Sequence, residues 1–151
     1  MKKTTLALII NDSKVLLGYT GKIWNGPGGK FKTGESAKEA LIRETKEEVD
    51  ISLNLWRLKP VGNIEFFFAG KPIFDMYIFL TNFWYGVPKP KSEMTRVEWI
   101  DIDKVPYHEM WLSDRYWMPE VLKGRKIKNT PMIFYNADGT ALEREPEIEF
   151  Y

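Results

Sequence analysis

The chain has 151 residues, a net charge of +1, 44% apolar and 28% charged residues. That is enough to bury one core, and it excludes a disordered chain. The near-neutral balance gives no bulk electrostatic reason to bind duplex DNA or an anionic membrane. With no cysteine in the sequence, a disulfide scaffold, an Fe–S cluster, thiol catalysis and a Cys-based zinc site are excluded.

Lys2-Lys3 followed by Leu6–Ile10 imitates a signal peptide, but the apolar run is five residues and meets Asn11-Asp12. A membrane span needs roughly 18–20. The stretch reads as a strand, and a cytoplasmic protein is expected. Thr4–Ile10 and Lys14–Tyr19 are β-rich runs split by Asn11-Asp12-Ser13, which predicts a hairpin. Gly21 to Gly34 holds five glycines and reads as a shaped loop. Ser36 and Glu39 fit a capping box, so a helix is predicted from Ser36 to near Val49-Asp50. Val61–Ala69 and Pro72–Trp84 are predicted strands linked by Gly70-Lys71, and Val97–Asp101 alternates like a further strand. Asp114 to Lys123 is predicted helical, with Ser113 or Asp114 as cap and Gly124 just past its end. Met132–Tyr135, Asn136–Gly139 and Ala141–Glu145 predict a closing hairpin. The expected product is one domain over residues 1–151. It is a mixed sheet with one early and one late helix, an α/β or α+β sandwich.

The segment Arg43-Glu44-Thr45-Lys46-Glu47-Glu48 carries the chemistry. On a helix, Glu44 and Glu48 stand one turn apart and Glu47 lies three residues from Glu44. Arg43 can pair with Glu47, which leaves two carboxylates uncompensated. A hard divalent cation, Mg²⁺ or Mn²⁺, would relieve that repulsion, especially when a substrate phosphate completes its shell. The plainer alternative is a solvated charged face with Lys38, Arg43 and Lys46 as partners.

The preceding loop extends the pattern: Gly29, five residues, Glu35, seven residues, Arg43-Glu44, two residues, Glu47-Glu48. This resembles the signature of the Nudix hydrolase family, with a chance occurrence of about 10⁻⁵ for six matched identities. Thr45 and Asp50 depart from it, standing where the signature has an apolar residue and a glycine. Neither change removes a carboxylate. The resemblance implies an α/β/α sandwich and hydrolysis of a nucleoside diphosphate linked to a further group. It assigns Glu44, Glu47 and Glu48 to catalysis and metal binding, with the Gly28 carbonyl as a further ligand. It makes Glu35 and Arg43 supports that orient the acidic helix.

Further segments widen the likeness: Trp24–Lys30, Asp75–Phe79, Ser92–Met94, Val97–Trp99 and Met110–Trp117. They are similar to the branch of the family that hydrolyses oxidised purine nucleoside triphosphates. By position, Thr5, Asn25, Phe66, Trp111 and Asp114 fall on its base pocket, Ser113 stands beside Asp114, and Gly29 and Lys30 join the substrate-binding set. Glu93 falls on an added acidic residue near the metal. The residue types suit a purine: Trp111 and Phe66 offer stacking faces, Asn25 both a donor and an acceptor, and Asp114 an acceptor. Phe66 read alone is equally a core residue, Asn25 a turn residue and Asp114 a helix cap. The loop before Trp24 is about five residues shorter than in those relatives. Thr20 replaces a lysine, and Ser113 replaces a second aspartate. His108, the single histidine, reads as a loop residue. The implied activity is Mg²⁺-dependent conversion of an 8-oxo-dGTP-type nucleotide to monophosphate and pyrophosphate by a monomer or homodimer. The alternatives are another modified nucleotide or a dinucleotide as substrate, or a non-catalytic nucleotide-binding module.

Overall fold

A computed structural model describes all residues, Met1–Tyr151. The strands are β1 (Lys2–Asn11), β2 (Lys14–Tyr19), β3 (Trp24–Asn25), β4 (Gly28–Lys30), β5 (Ser52–Leu53), β6 (Lys59–Phe68), β7 (Lys71–Thr81), β8 (Trp84–Tyr85), β9 (Arg96–Asp101) and β10 (Met132–Tyr135). The helices are α1 (Ala37–Val49) and α2 (Asp114–Leu122). The main sheet runs β10-β6-β7-β1-β2-β3, with β4 also on β1 and β9 also on β2. β1 pairs parallel with β7, and β10 pairs parallel with β6. The other ladders are antiparallel, so the sheet is mixed.

Alternation along β1 and β2 builds a core on each face of this sheet. Leu6, Leu8, Val15 and Leu17 pack with Trp117, Met118 and Val121 of α2. Ala7, Ile9 and Leu16 pack with Leu41 and Val49 of α1. The sheet is thereby sandwiched between the two helices, and β1 serves both cores. β1 gives β2 only Ile10 and Asn11, while Thr4, Thr5 and Leu6 pair with Lys30, Gly29 and Gly28 of β4. The loop that precedes α1 is thus stitched directly to the central strand.

The predicted capping box is present. Glu39 N–H donates to Ser36 Oγ at 3.1 Å, and Ser36 N–H donates to Glu39 Oε1 at 2.9 Å. At the far end Asp50 takes the left-handed conformation at φ 59°, ψ 35°. Its carboxylate pairs with Lys46 at 3.3 Å and Lys91 at 3.6 Å, contacts a glycine could not make. Thr45 is fully buried with Oγ1 unpartnered, so it fills its apolar position as a methyl-bearing side chain.

Three expectations are corrected. The Gly21–Gly34 loop contains β3, which pairs with β2, and β4, which pairs with β1; glycine lets β4 approach β1 closely, since a Cβ on Gly28 would run into the Thr5 carbonyl. The turn between β6 and β7 is Ala69-Gly70, both at positive φ (49° and 77°), and β7 stops at Thr81 before the separate β8. The closing hairpin is reduced to one bridge, Tyr135 to Leu142, on the edge of β10 that β6 leaves free. Ser113 holds the N-cap position of α2 as expected, without a side-chain capping bond.

Candidate active site

Alternation on three neighbouring strands faces Thr4 and Leu6 of β1, Phe66 and Phe68 of β6, and Phe74 and Met76 of β7 the same way. With Asn25, Trp111, Ser113, Asp114 and Tyr135 they line a cavity of about 240 Å³. Tyr135 stacks on Phe68 at 5.3 Å and 11°, and Trp111 meets it edge-on at 5.7 Å and 77°. Trp111 is 42% exposed, which puts it at the rim. Asn25 Oδ1 accepts from Gly26 N–H at 3.0 Å, leaving its amide nitrogen free of that bond.

Asp114 is 5% exposed and Ser113 fully buried. Burial pushes the Asp114 carboxyl up to about 7, with the Trp117 indole and the Trp111 backbone beside it acting in the opposite sense. Neither neighbour reaches full hydrogen-bond geometry, so Asp114 Oδ2 and Trp117 Nε1 are both unpartnered. Asp114 lines the cavity, so its orphaned Oδ2 is what a polar ligand edge would satisfy.

Thr5 does not line this cavity. Its neighbour Thr4 does, because adjacent strand residues face opposite ways. Thr5 pairs with Gly29 and belongs to the α1 side of the sheet. Gly29 and Lys30 likewise sit beside α1 rather than in the cavity.

On that side Arg43 organises the carboxylates. It grips Glu35 with two bonds of 2.7 and 2.8 Å, reaches Glu44 at 2.9 Å and Glu47 at 3.2 Å, and donates to the Lys30 carbonyl at 3.0 Å. The guanidinium, helped by a 2.6 Å bond from Lys32 N–H, holds Glu35 down at about 2. Glu48 points instead to the glycine strand, accepting from Gly28 N–H at 2.8 Å. Burial pushes Glu48 up to about 7, the Gly28 bond opposes that rise, and the charges of Glu44, Glu93 and Glu47 reinforce it. The Glu44 carboxylate lies against Gly29, where a Cβ would stand 2.6 Å from its Cδ.

Glu44, Glu47 and Glu93 are thus each brought into electrostatic range of Glu48, with the two glycines leaving room beside them. No three acidic or imidazole side chains converge as a ready-made cage. An all-oxygen surface of mutually repelling carboxylates, one of them already driven towards protonation, fits a hard divalent cation. His108 is exposed and lies against Glu109 at 3.7 Å, away from both groups.

Phe68, Phe74, Met76 and Tyr135 were not singled out from sequence. Phe68 lies two residues from Phe66, so strand alternation carries that signal. Tyr135 carries none, since its partner Ser113 is 22 residues away.

Residues 1–121 match the NUDIX domain. The chain is 39% identical over 133 residues to the oxidized purine nucleoside triphosphate hydrolase of Danio rerio, covering 83% of each chain. It is 36% identical over 129 residues to the Mus musculus protein of the same name, covering 82% of this chain and 81% of that one. A crystal structure of a mutator MutT protein from Bacillus halodurans superposes with a TM-score of 0.82 at 23% identity, covering 99% of this chain and 98% of that one.

Proposed function

The chain belongs to the Nudix family, and on that premise we propose that it converts oxidised purine nucleoside triphosphates of the 8-oxo-dGTP type to the monophosphate and pyrophosphate. The observation that carries this reading is one short connection. Asn25 lines the cavity and Gly28, three residues on, bonds the acidic helix through Glu48. Three residues of chain span at most about 10 Å, so one nucleotide can offer its base to the cavity and its phosphates to the carboxylates together.

The cavity suits a single base. Its 240 Å³ is below the roughly 300–1,000 Å³ of pockets for larger ligands. Trp111 and Phe66 would cover the flat faces of the ring. Asp114 would accept from the ring N–H and an adjacent amine, and Asn25 has its amide nitrogen to donate.

Nudix hydrolases need a divalent metal, and Glu44, Glu47 and Glu48, with Glu93 and the Gly28 carbonyl, are the groups that would hold it; Mg²⁺ is preferred here for its match to hard oxygen donors, with Mn²⁺ able to substitute. When bound, the metal neutralises phosphate charge and makes the attacking water a better nucleophile. Arg43 and Glu35 fix the rotation of the acidic face, and Gly28 N–H orients the Glu48 carboxylate. The same reading takes residues 1–151 as one domain, supported by β1 being shared between both cores. No helix is long and apolar enough to cross a membrane; a cytoplasmic setting and a monomer or homodimer complete the proposal.

The deciding experiment measures kcat/KM with pyrophosphate release as readout, across 8-oxo-dGTP, 2-oxo-dATP and the normal dNTPs, with Mg²⁺, with Mn²⁺ and with chelator. The reading requires metal-dependent turnover that favours an oxidised purine. Equal use of normal dNTPs, or no turnover of any of them, refutes it.

A further inference from the structure

Tyr135 ends β10, and its hydroxyl reaches across the cavity wall to the first turn of α2. Ser113 N–H donates to Tyr135 Oη at 3.0 Å, and Tyr135 Oη lies 2.8 Å from Ser113 Oγ. The two residues are 1% and 0% exposed, so the contact is shielded from bulk solvent. The amide proton makes the phenol oxygen an acceptor. The phenol hydrogen goes to Ser113 Oγ, which accepts it through one lone pair. Ser113 caps no helix amide; its backbone N–H and one lone pair of its hydroxyl oxygen go to this one tyrosine.

The next residue is Asp114. No full hydrogen bond fixes its carboxyl, and Oδ2 has no partner. What fixes Asp114 is therefore the backbone that leads into it, and that backbone is clamped at Ser113. The Tyr135 ring is itself immobilised, flat on Phe68 and edge-on to Trp111, so the clamp is anchored in the cavity's aromatic wall.

We infer that Tyr135 is a positioning residue for base recognition: its hydroxyl clamps Ser113 and thereby sets Asp114 as the single acidic group presented to the base. Ser113 serves this clamp by donating its amide N–H to the phenol oxygen and accepting the phenol hydrogen at Oγ. The edge so recognised belongs to a purine with a ring N–H and a neighbouring exocyclic amine, both able to donate to one carboxylate. This inference rests on the proposed activity and goes beyond it by assigning the polar wall of the cavity.

The test is a double-mutant cycle. Tyr135→Phe keeps the stacked ring and removes only the hydroxyl. It is expected to lower kcat/KM for 8-oxo-dGTP by about 3- to 10-fold, the scale of one net hydrogen bond, with the loss carried by KM rather than kcat. In an Asp114→Asn background the same change is expected to cost less than about twofold, because the group it positions is gone. Ser113→Ala retains the amide-to-phenol bond and is expected to give a smaller KM effect, also absent with Asp114→Asn; it serves as the readout should Tyr135→Phe not fold. A tyrosine that only supports the fold would lower Tm with KM unchanged, or lower kcat/KM equally in both backgrounds, and either result overturns the inference. Absence of 8-oxo-dGTP turnover in the wild type overturns the proposed activity itself, and the positioning role with it. Turnover combined with a flat cycle overturns the positioning role alone.

Discussion

Asp114→Asn should make the protein more stable and less able to hold its substrate. Burial lifts the Asp114 carboxyl from 3.8 to about 7 in the folded state. Below about pH 4 both folded and unfolded chains carry the proton, and nothing is lost. As pH rises through 7 the unfolded chain ionises freely while the folded one must charge a dry carboxyl. Stability is therefore lost progressively between about pH 4 and pH 7. The full penalty is about 4 kcal/mol. About 2–3 kcal/mol of it falls between pH 5 and pH 8, because the unfolded chain is already charged at pH 5. Asparagine occupies nearly the same volume and does not titrate. At roughly 2–4 °C per kcal/mol for a domain of this size, the Tm advantage of Asp114→Asn over wild type should be about 5–10 °C larger at pH 8 than at pH 5. Differential scanning calorimetry at the two pH values reads this directly, and kcat/KM for 8-oxo-dGTP should fall in the same variant. A Tm difference that does not change with pH would show that Asp114 is solvated or paired, and would remove the physical basis for treating it as a buried reader of the base.

Three further outcomes follow from the site. Glu48→Gln should cut kcat by about 10²–10⁴-fold at saturating Mg²⁺ through loss of charge next to the phosphates, while nucleotide binding measured by fluorescence persists; more than half of wild-type kcat would contradict the assignment. Trp111→Ala should cost roughly 1–3 kcal/mol of binding as lost base stacking, seen in KM rather than kcat, with little change in Tm because the ring is 42% exposed; unchanged KM would place the base elsewhere. Gly29→Ala puts a methyl group 2.6 Å from Glu44 Cδ, so turnover should drop well below wild type while circular dichroism is retained, and full activity would mean that Glu44 need not lie against this strand.

The chemistry of the acidic helix was legible in the sequence because its spacing is local. Glu44, Glu47 and Glu48 share a helix side, Ser36 and Glu39 announce its start, and Arg43 lies within reach of Glu47. All of these relations span at most one helical turn or so, and the intrinsic geometry of a helix fixes them. Runs rich in β-branched and aromatic residues similarly made β1 and β6 readable, alternation did so for β9, and the mixed sheet with an early and a late helix followed.

What local periodicity could not supply was which side of a strand meets which neighbour. Thr5 and Thr4 are both threonines in one strand, and the pairing of β1 with β4 and β7 decides that Thr4 lines the cavity while Thr5 faces α1. The glycine loop became two strands because β2 took Trp24-Asn25 as β3, while β1 offered β4 an edge that Gly28 and Gly29, lacking side chains, could approach closely. Asp50, an exception to the usual glycine, was made tolerable by Lys46 one turn back and by Lys91 from another segment. Tyr135 meets Ser113 because β10 adds to β6 in parallel, a long-range pairing that no local pattern announces. Asp114 was recognisable as an acceptor by residue type, but its shift to about 7 comes from desolvation, and desolvation is a property of everything packed around a group rather than of the group's neighbours in the chain.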